Sequence, residues 1–271
     1  MNGNEFRKNL KDDNKVFGTL ITCTSPQWLE VVESTGLDFV FIDTEHIAID
    51  RTTLSWMCHA YKSLDIATIV RIPMPDPYHA CMALDGGADA IVAPYIEDVE
   101  EIKRLAGAVK YRPLKGKKLK DFLDGKIQLK QSLLQYLNKT NQGKSLIANI
   151  ESIPAMNNLD QLLKVPGLDA VLIGPHDLSC SMEIPEAYFD DSFKNNVNQI
   201  IEKVRSHDIS IGIHVFYGGI QDEVDWVKRG ANLVMHSSDI DLFHRMMAKE
   251  MDYLKQETGV SPGSDRGEIA I

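Results

Sequence analysis

Four times along the chain a glycine, an apolar residue and Asp or Asn stand directly ahead of a β-branched run: Gly36-Leu37-Asp38, Gly87-Ala88-Asp89, Gly167-Leu168-Asp169 and Gly230-Ala231-Asn232. Glycine just past a helix can take the left-handed conformation that closes it, and the apolar residue that follows can fold back onto the helix before a strand begins. The triplet therefore marks a turn from helix to strand. Eight strands are predicted, VFGTLIT (16–22), DFVFID (38–43), ATIVRI (67–72), DAIVAP (89–94), SLIANIE (145–151), DAVLIG (169–174), SIGIHV (210–215) and NLVMHS (232–237), each followed by a helical stretch. The triplets precede the second, fourth, sixth and eighth. A marker on every second βα unit suits a closed eightfold barrel built of paired units, whereas an open doubly wound sheet gives no reason for so regular a count. The expected fold is α/β, a single-domain (β/α)8 barrel of the TIM class over residues 1–271.

Residues 111–143 break this rhythm. RPLKGKKLKDFLDGK is basic and contains glycine, and IQLKQSLLQYLNK has helical periodicity, so a long loop and an extra helix are expected between strands 4 and 5, over the site or against another subunit. The tail GVSPGSDRGEIAI, residues 259–271, is expected to be flexible. In the last helical stretch, Leu242, Phe243, Met246, Met247 and Tyr253 form an apolar stripe suited to core or subunit contact.

Composition narrows the function. With 44% apolar and 25% charged residues in 271, the chain can bury a sizeable core. A net charge of -10 argues against nucleic acid or an anionic membrane as partner, since either requires a basic face. No apolar run approaches the roughly 20 residues that cross a bilayer, and the start MNGNEFRKNLKDDNK lacks the apolar centre of a signal peptide. A cytoplasmic protein acting on a small molecule is expected. Cys23, Cys58, Cys81 and Cys180 form no CxxC pair, which favours reduced, mostly buried thiols over disulfides or zinc.

Barrels place their active sites at the carboxyl ends of the strands. Those ends supply Asp43, Glu45 and His46 from strand 2, Arg71 from strand 3, Glu151 from strand 5, and Asp177 reached through Gly174-Pro175-His176 from strand 6, with His214 and His236 from strands 7 and 8. Any one could be a solvated loop group; together they converge on a mouth small enough for one ligand. Glu151 and Asp177 would lie on neighbouring strands, where two carboxylates raise each other's pKa unless a cation sits between them. Oxygen-only ligands, and few of them, suit Mg²⁺ or Mn²⁺, with Co²⁺ as a substitute. A carboxylate pair working on a sugar is the competing explanation. His46 beside its acids suits a general base better than a zinc ligand, because no HExxH pattern is present. Arg71 either ties a nearby acid or meets a developing oxyanion. Lys15 and Lys144 precede strands 1 and 5 and so belong at the opposite mouth, which leaves no lysine for a Schiff base.

At these residues the chain resembles the HpcH/HpaI family of class II, metal-dependent pyruvate aldolases within the phosphoenolpyruvate/pyruvate barrel superfamily. The resemblance runs from about Phe17 to Leu242. It rests on GLDFVFIDTEH, VRIP followed by DP and ALDGGADAIVAPYI, NIES, VPGLDAVLIGPHDLS and GANLVMHSSD, in order and at matching spacing.

The resemblance implies a lyase that joins or parts pyruvate, or a close 2-oxo acid, and an aldehyde, with a divalent metal and no organic cofactor. It implies that Glu151 and Asp177 hold the metal and that Arg71 contacts the keto oxygen. His46, paired with Asp85 of ALDGG, would activate a water that moves the proton. Asn149, Gly174 and Pro175 would border the substrate, with Asp43 and Glu45 supporting the site from behind. A homo-oligomer, in the family a hexamer, is implied as well. Asn149 stands where the family usually has glutamine, His176 where it has a small residue, and LKGKKL where it has a GIRG-like segment; these departures bear on the acceptor aldehyde and the direction of reaction. The alternatives are a CoA-ester lyase of the citrate lyase β-subunit kind and a non-catalytic 2-oxo-acid-binding barrel.

Overall fold

The computed structural model describes residues 1–260. In chain order its elements are α1 (Gly3–Lys11), β1 (Val16–Leu20), α2 (Trp28–Glu33), β2 (Phe39–Asp43), α3 (Arg51–Ser63), β3 (Ala67–Arg71), α4 (Pro77–Asp85), β4 (Ala90–Ala93), α5 (Val99–Lys110), α6 (Gly116–Leu123), α7 (Gln131–Thr140), β5 (Ser145–Ile150), α8 (Ile153–Leu162), β6 (Ala170–Ile173), α9 (Pro175–Ser181), α10 (Asp191–Arg205), β7 (Ser210–Val215), α11 (Ile220–Lys228), β8 (Leu233–Ser238) and α12 (Asp239–Glu257). The eight strands pair in parallel and in sequence order, and β8 closes on β1. The fold is the expected (β/α)8 barrel.

The glycine triplets explain how the units lock. Gly36, Gly87, Gly167 and Gly230 all take positive φ, at 75°, 115°, 100° and 119°, a conformation glycine adopts without a steric penalty. The Asp or Asn two residues later then pairs reciprocally with the preceding odd strand. Asp38 N donates to Phe17 O at 2.8 Å while Phe17 N donates to Asp38 Oδ2 at 2.9 Å. Asp89 does the same with Thr68, Asp169 with Leu146 and Asn232 with Ile211. Each triplet is therefore a stitch at the amino end of the barrel. Two of the stitches carry half-buried cations: Lys144 Nζ lies 3.1 Å from Asp89, and Arg7 and Lys110 both reach Asp169.

Alternation along the strands sends one set of side chains inward, where Leu20, Phe39, Phe41, Ile69, Val92, Ile147, Leu172, Leu233 and Met235 pack together. The other set faces the helices in a larger apolar layer that includes Val40, Ile42, Val70 and Ile91. The amino mouth is covered by α1, whose Phe6 ring meets Phe39 edge to face at 5.7 Å and whose Leu10 carbonyl accepts from Ser210 Oγ at 2.6 Å.

Two regions depart from the sequence reading. The GKKLKDFL stretch, expected as loop, forms α6, so the insert holds two helices. Gly107 on α5 makes this fit, because a Cβ there would come within 2.8 Å of Leu123 and 3.2 Å of Leu119. The polar start, for which the sequence pattern predicts no element, forms α1 under an Asn2–Glu5 capping box. The four thiols are free, but only Cys58 and Cys81 are buried, and Cys180 is exposed. The predicted flexible tail lies outside the described residues from 261 onward. Among the described residues no helix is long and apolar enough to cross a membrane.

Candidate active site

Asp43 and Arg71 end β2 and β3 and are register partners. The guanidinium meets the carboxylate in a fork, Nε to Oδ1 at 3.0 Å and Nη2 to Oδ2 at 2.6 Å, and Glu45 Oε2 lies 3.1 Å from Nε. Burial alone would raise the Asp43 pKa, but the Arg71 hydrogen bond and charge hold it below the usual carboxylate range. Burial raises Glu45, against the pull of Arg71 and His46. Asp43 Oδ1 also accepts from Glu45 N at 2.9 Å, so one carboxylate sets both the arginine and the loop that presents His46. His46 is half exposed at the lip, with Nε2 3.8 Å from Glu45 Oε2.

Glu151 follows β5 and is buried. Its Oε1 accepts from the main-chain N–H of Tyr95 at 2.6 Å, and its Oε2 accepts from Asn149 Nδ2. Burial pushes its pKa up to about 7; the Tyr95 bond opposes this and Asp177 adds to it. Asp177 sits in the first turn of α9, close enough for its charge to act on Glu151, Glu45 and Tyr95. The two carboxylates far apart in sequence thus share one electrostatic neighbourhood with Arg71.

The residues fit a divalent cation. The charge of half-buried Asp177 repels buried Glu151, which a cation would relieve. Asn149 Oδ1 is buried without a hydrogen-bond partner. Gly174 lets the Glu151 carboxylate pack against its main chain, since a Cβ there would come within 2.5 Å of Glu151 Oε2. Among the described residues no three His, Cys, Asp or Glu side chains cluster as a metal cage. Two carboxylates with hard oxygen neighbours match a cation that keeps waters, as Mg²⁺ and Mn²⁺ do.

One expected pairing is not made within the chain. Asp85 is the last residue of α4, which starts beside the mouth and runs back along the barrel, so it lies at the end away from His46. Its partner there is Arg112, with Nη1 3.0 Å from Oδ1. Pro175 lies buried at the start of α9 beside Gly174. The lysines keep to the amino end as expected. Burial lowers Lys110 to about 8, a value that suits imine chemistry, yet its Nζ is engaged by Asp169 and the Lys144 carbonyl on the wrong side of the barrel.

The sequence reading missed one contributor, Tyr95, and named His214 without its surroundings. Tyr95 acts through its main chain, held at φ 50°. His214 points into the mouth and its Nε2 donates to the Ser237 carbonyl at 2.9 Å, and burial lowers its pKa to about 4, so it is neutral beside Arg71 and Asp43. Its position on β7 was legible, but its surroundings were not.

A parallel barrel whose carboxyl mouth gathers two metal-competent carboxylates and a forked arginine defines the class. The chain belongs to the HpcH/HpaI aldolase/citrate lyase family, whose model matches residues 17–245. It is 27% identical over 238 residues to a hydroxypyruvate/pyruvate aldolase of Roseobacter denitrificans, covering 88% of this chain and 91% of that one. Among solved structures it resembles an HpcH/HpaI aldolase of Desulfitobacterium hafniense with TM-score 0.80 at 23% identity, over 92% of this chain and 96% of that one. A citrate synthase structure also superposes with TM-score 0.80 at 26% identity, over 93% and 98% of the two chains.

Proposed function

We propose that the chain is a lyase, a class II pyruvate aldolase that reversibly cleaves a 4-hydroxy-2-oxo acid to pyruvate and an aldehyde. The observation that carries this reading is the shared setting of Glu151 and Asp177 next to the Arg71–Asp43 fork, at the one mouth where a barrel does chemistry. The curated relative named as a hydroxypyruvate/pyruvate aldolase supports it.

Glu151 and Asp177 would hold Mg²⁺ or Mn²⁺, which when bound supplies Lewis-acid stabilisation of negative charge on the 2-oxo acid. Arg71, fixed by Asp43 along its Nε–Nη2 edge, keeps its remaining donors for the keto oxygen, where negative charge grows as the C3–C4 bond breaks. The bonding pair passes to the pyruvate fragment as its enolate. His46, at the lip beside Glu45, removes the 4-hydroxyl proton through a water and returns it in the condensing direction. Asn149, Gly174 and Pro175 border the 2-oxo acid, with the missing Cβ of Gly174 giving the Glu151 carboxylate its place beside it.

The reading includes a homo-oligomer, with the family's hexamer as the expected size. Phe243, Met246 and Met247 on α12 are exposed in the single chain and supply an apolar face for a second copy. Sedimentation velocity measures the assembly directly.

The test is methyl-proton exchange of pyruvate in D2O, followed by an aldehyde screen, each with EDTA and with metal added back. Exchange and aldol formation should vanish on chelation and return with Mn²⁺ or Mg²⁺. Activity that survives thorough chelation would end the proposal. The family also contains citrate lyases, so a CoA-ester lyase is the second reading; cleavage of a CoA ester with no pyruvate exchange would select it.

A further inference from the structure

We infer that the acceptor side of the mouth is built for an aldehyde carrying an aromatic ring. The inference rests on the aldolase reading and names its second substrate. The observation is a run of rings leading from the catalytic arginine onto the flank formed by β6 and β7. Arg71 lies over Phe41, with its guanidinium carbon 5.8 Å from the ring centroid. Phe41 is followed by His214 at 6.4 Å, His214 by Phe216 at 5.5 Å, and Phe216 by Tyr188 at 5.8 Å. On the other side, the Tyr188 hydroxyl lies 3.2 Å from Nδ1 of His176, the residue adjoining Asp177. The rings therefore join the two halves of the proposed site.

Within this flank the roles divide. Tyr188 is 7% exposed and stacks on Tyr217 with centroids 4.1 Å apart and planes within 14°, which makes a rigid floor. Phe216 and Phe189 stand on that floor at 46% and 55% exposure, edge-on to it. His214 is neutral, so no fixed charge stands between Arg71 and Phe216 along this run. A polyhydroxylated acceptor lying here would lose hydrogen bonds to water without regaining them. An aromatic one gains offset or edge-to-face contact with rings already held in place. The enolate carbon of pyruvate forms the new bond to the aldehyde carbon, the aldehyde oxygen takes a proton, and the product is a 4-hydroxy-2-oxo acid with the ring on C4.

The experiment uses the full chain with Mn²⁺ and compares benzaldehyde with glyceraldehyde as acceptors for pyruvate. Methyl-proton exchange is recorded in the same preparation, because it needs no aldehyde. The expected result is exchange together with kcat/KM favouring benzaldehyde by roughly tenfold or more. That ratio should collapse in Phe216→Ala and in Phe189→Ala, and be partly kept in Phe216→Tyr. Exchange with a preference for glyceraldehyde, or a ratio indifferent to both alanine variants, overturns this inference and leaves the aldolase reading standing. No exchange at all overturns both.

Discussion

The main-chain N–H of Tyr95 donates to Glu151 Oε1 at 2.6 Å, while Tyr95 itself is held at φ 50°. A left-handed non-glycine residue costs about 1–2 kcal/mol, and here that conformation aims an amide at the carboxylate proposed to hold a cation. Such strain gathers where the surrounding structure fixes geometry for function. Tyr95→Val should weaken Mn²⁺ binding by roughly 10-fold, because a β-branched residue resists this conformation. Tyr95→Gly, which adopts it freely, should lose much less. Titration calorimetry of the two variants checks the order, and equal affinities would break the link.

Glu151→Gln tests the buried carboxylate. Folded Glu151 keeps its proton up to about pH 7, against an ordinary value of 4.5, so the folded state binds more protons than the unfolded one between those values. Its contribution to the metal-free protein is complete below pH 4.5 and is lost as pH rises through about 7. The range amounts to about 3 kcal/mol. Glutamine cannot titrate, and Asn149 can turn its amide to meet the new NH₂. Urea unfolding under EDTA should therefore show Glu151→Gln gaining on wild type from pH 5 to 8, the titration of His214 being common to both. The same variant should lose Mn²⁺ binding. Parallel pH profiles would contradict the raised pKa.

Arg71→Lys keeps the charge and removes the fork. A lysine cannot match both Asp43 oxygens at once, and its ammonium is not held facing the substrate. The aldol rate should fall by about 100-fold or more, with the fold intact by circular dichroism. A rate near wild type would show that charge alone suffices.

Asp239 holds the loop after β1. Its carboxylate accepts from Thr22 N at 2.9 Å, Thr22 Oγ1 at 2.8 Å and Cys23 N at 2.9 Å. Asp239→Ala strands these donors at a cost of about 1–3 kcal/mol. Calorimetry should find the melting temperature lower by several degrees. An unchanged transition would mean that water replaces the carboxylate without loss.

The barrel was legible because each strand is an apolar run and every second one carries a glycine triplet whose geometry is local. The site was legible in part. Asp43, Arg71 and Glu151 stand at strand ends, where the alternation predicts inward side chains, and Asp177 follows β6 in the first turn of α9. What stayed hidden depends on contacts across the chain. Helix α1 offers only Phe6 and Leu10 as apolar anchors in a polar stretch, and it forms because the open barrel end covers them. Helix α6 looks like a lysine-rich loop until Gly107 gives its leucines a seat. Tyr95 works through an amide, which every residue owns and no motif records. The place of Asp85 was hidden because a motif gives a residue's neighbours in sequence, while the direction of α4 decides which end of its own barrel it lies at.

The filled interior of the barrel, stopped at its amino end by Phe6 of α1, leaves the carboxyl mouth as a single door. For the aldolase proposed, a cul-de-sac would impose a queue: the 2-oxo acid settles first, the aldehyde enters above it, and cleavage releases the aldehyde before pyruvate can leave. Trapped pyruvate can be rinsed out only after its companion has gone, so an excess of aldehyde alone should stall the entry of the first reactant rather than speed the cycle.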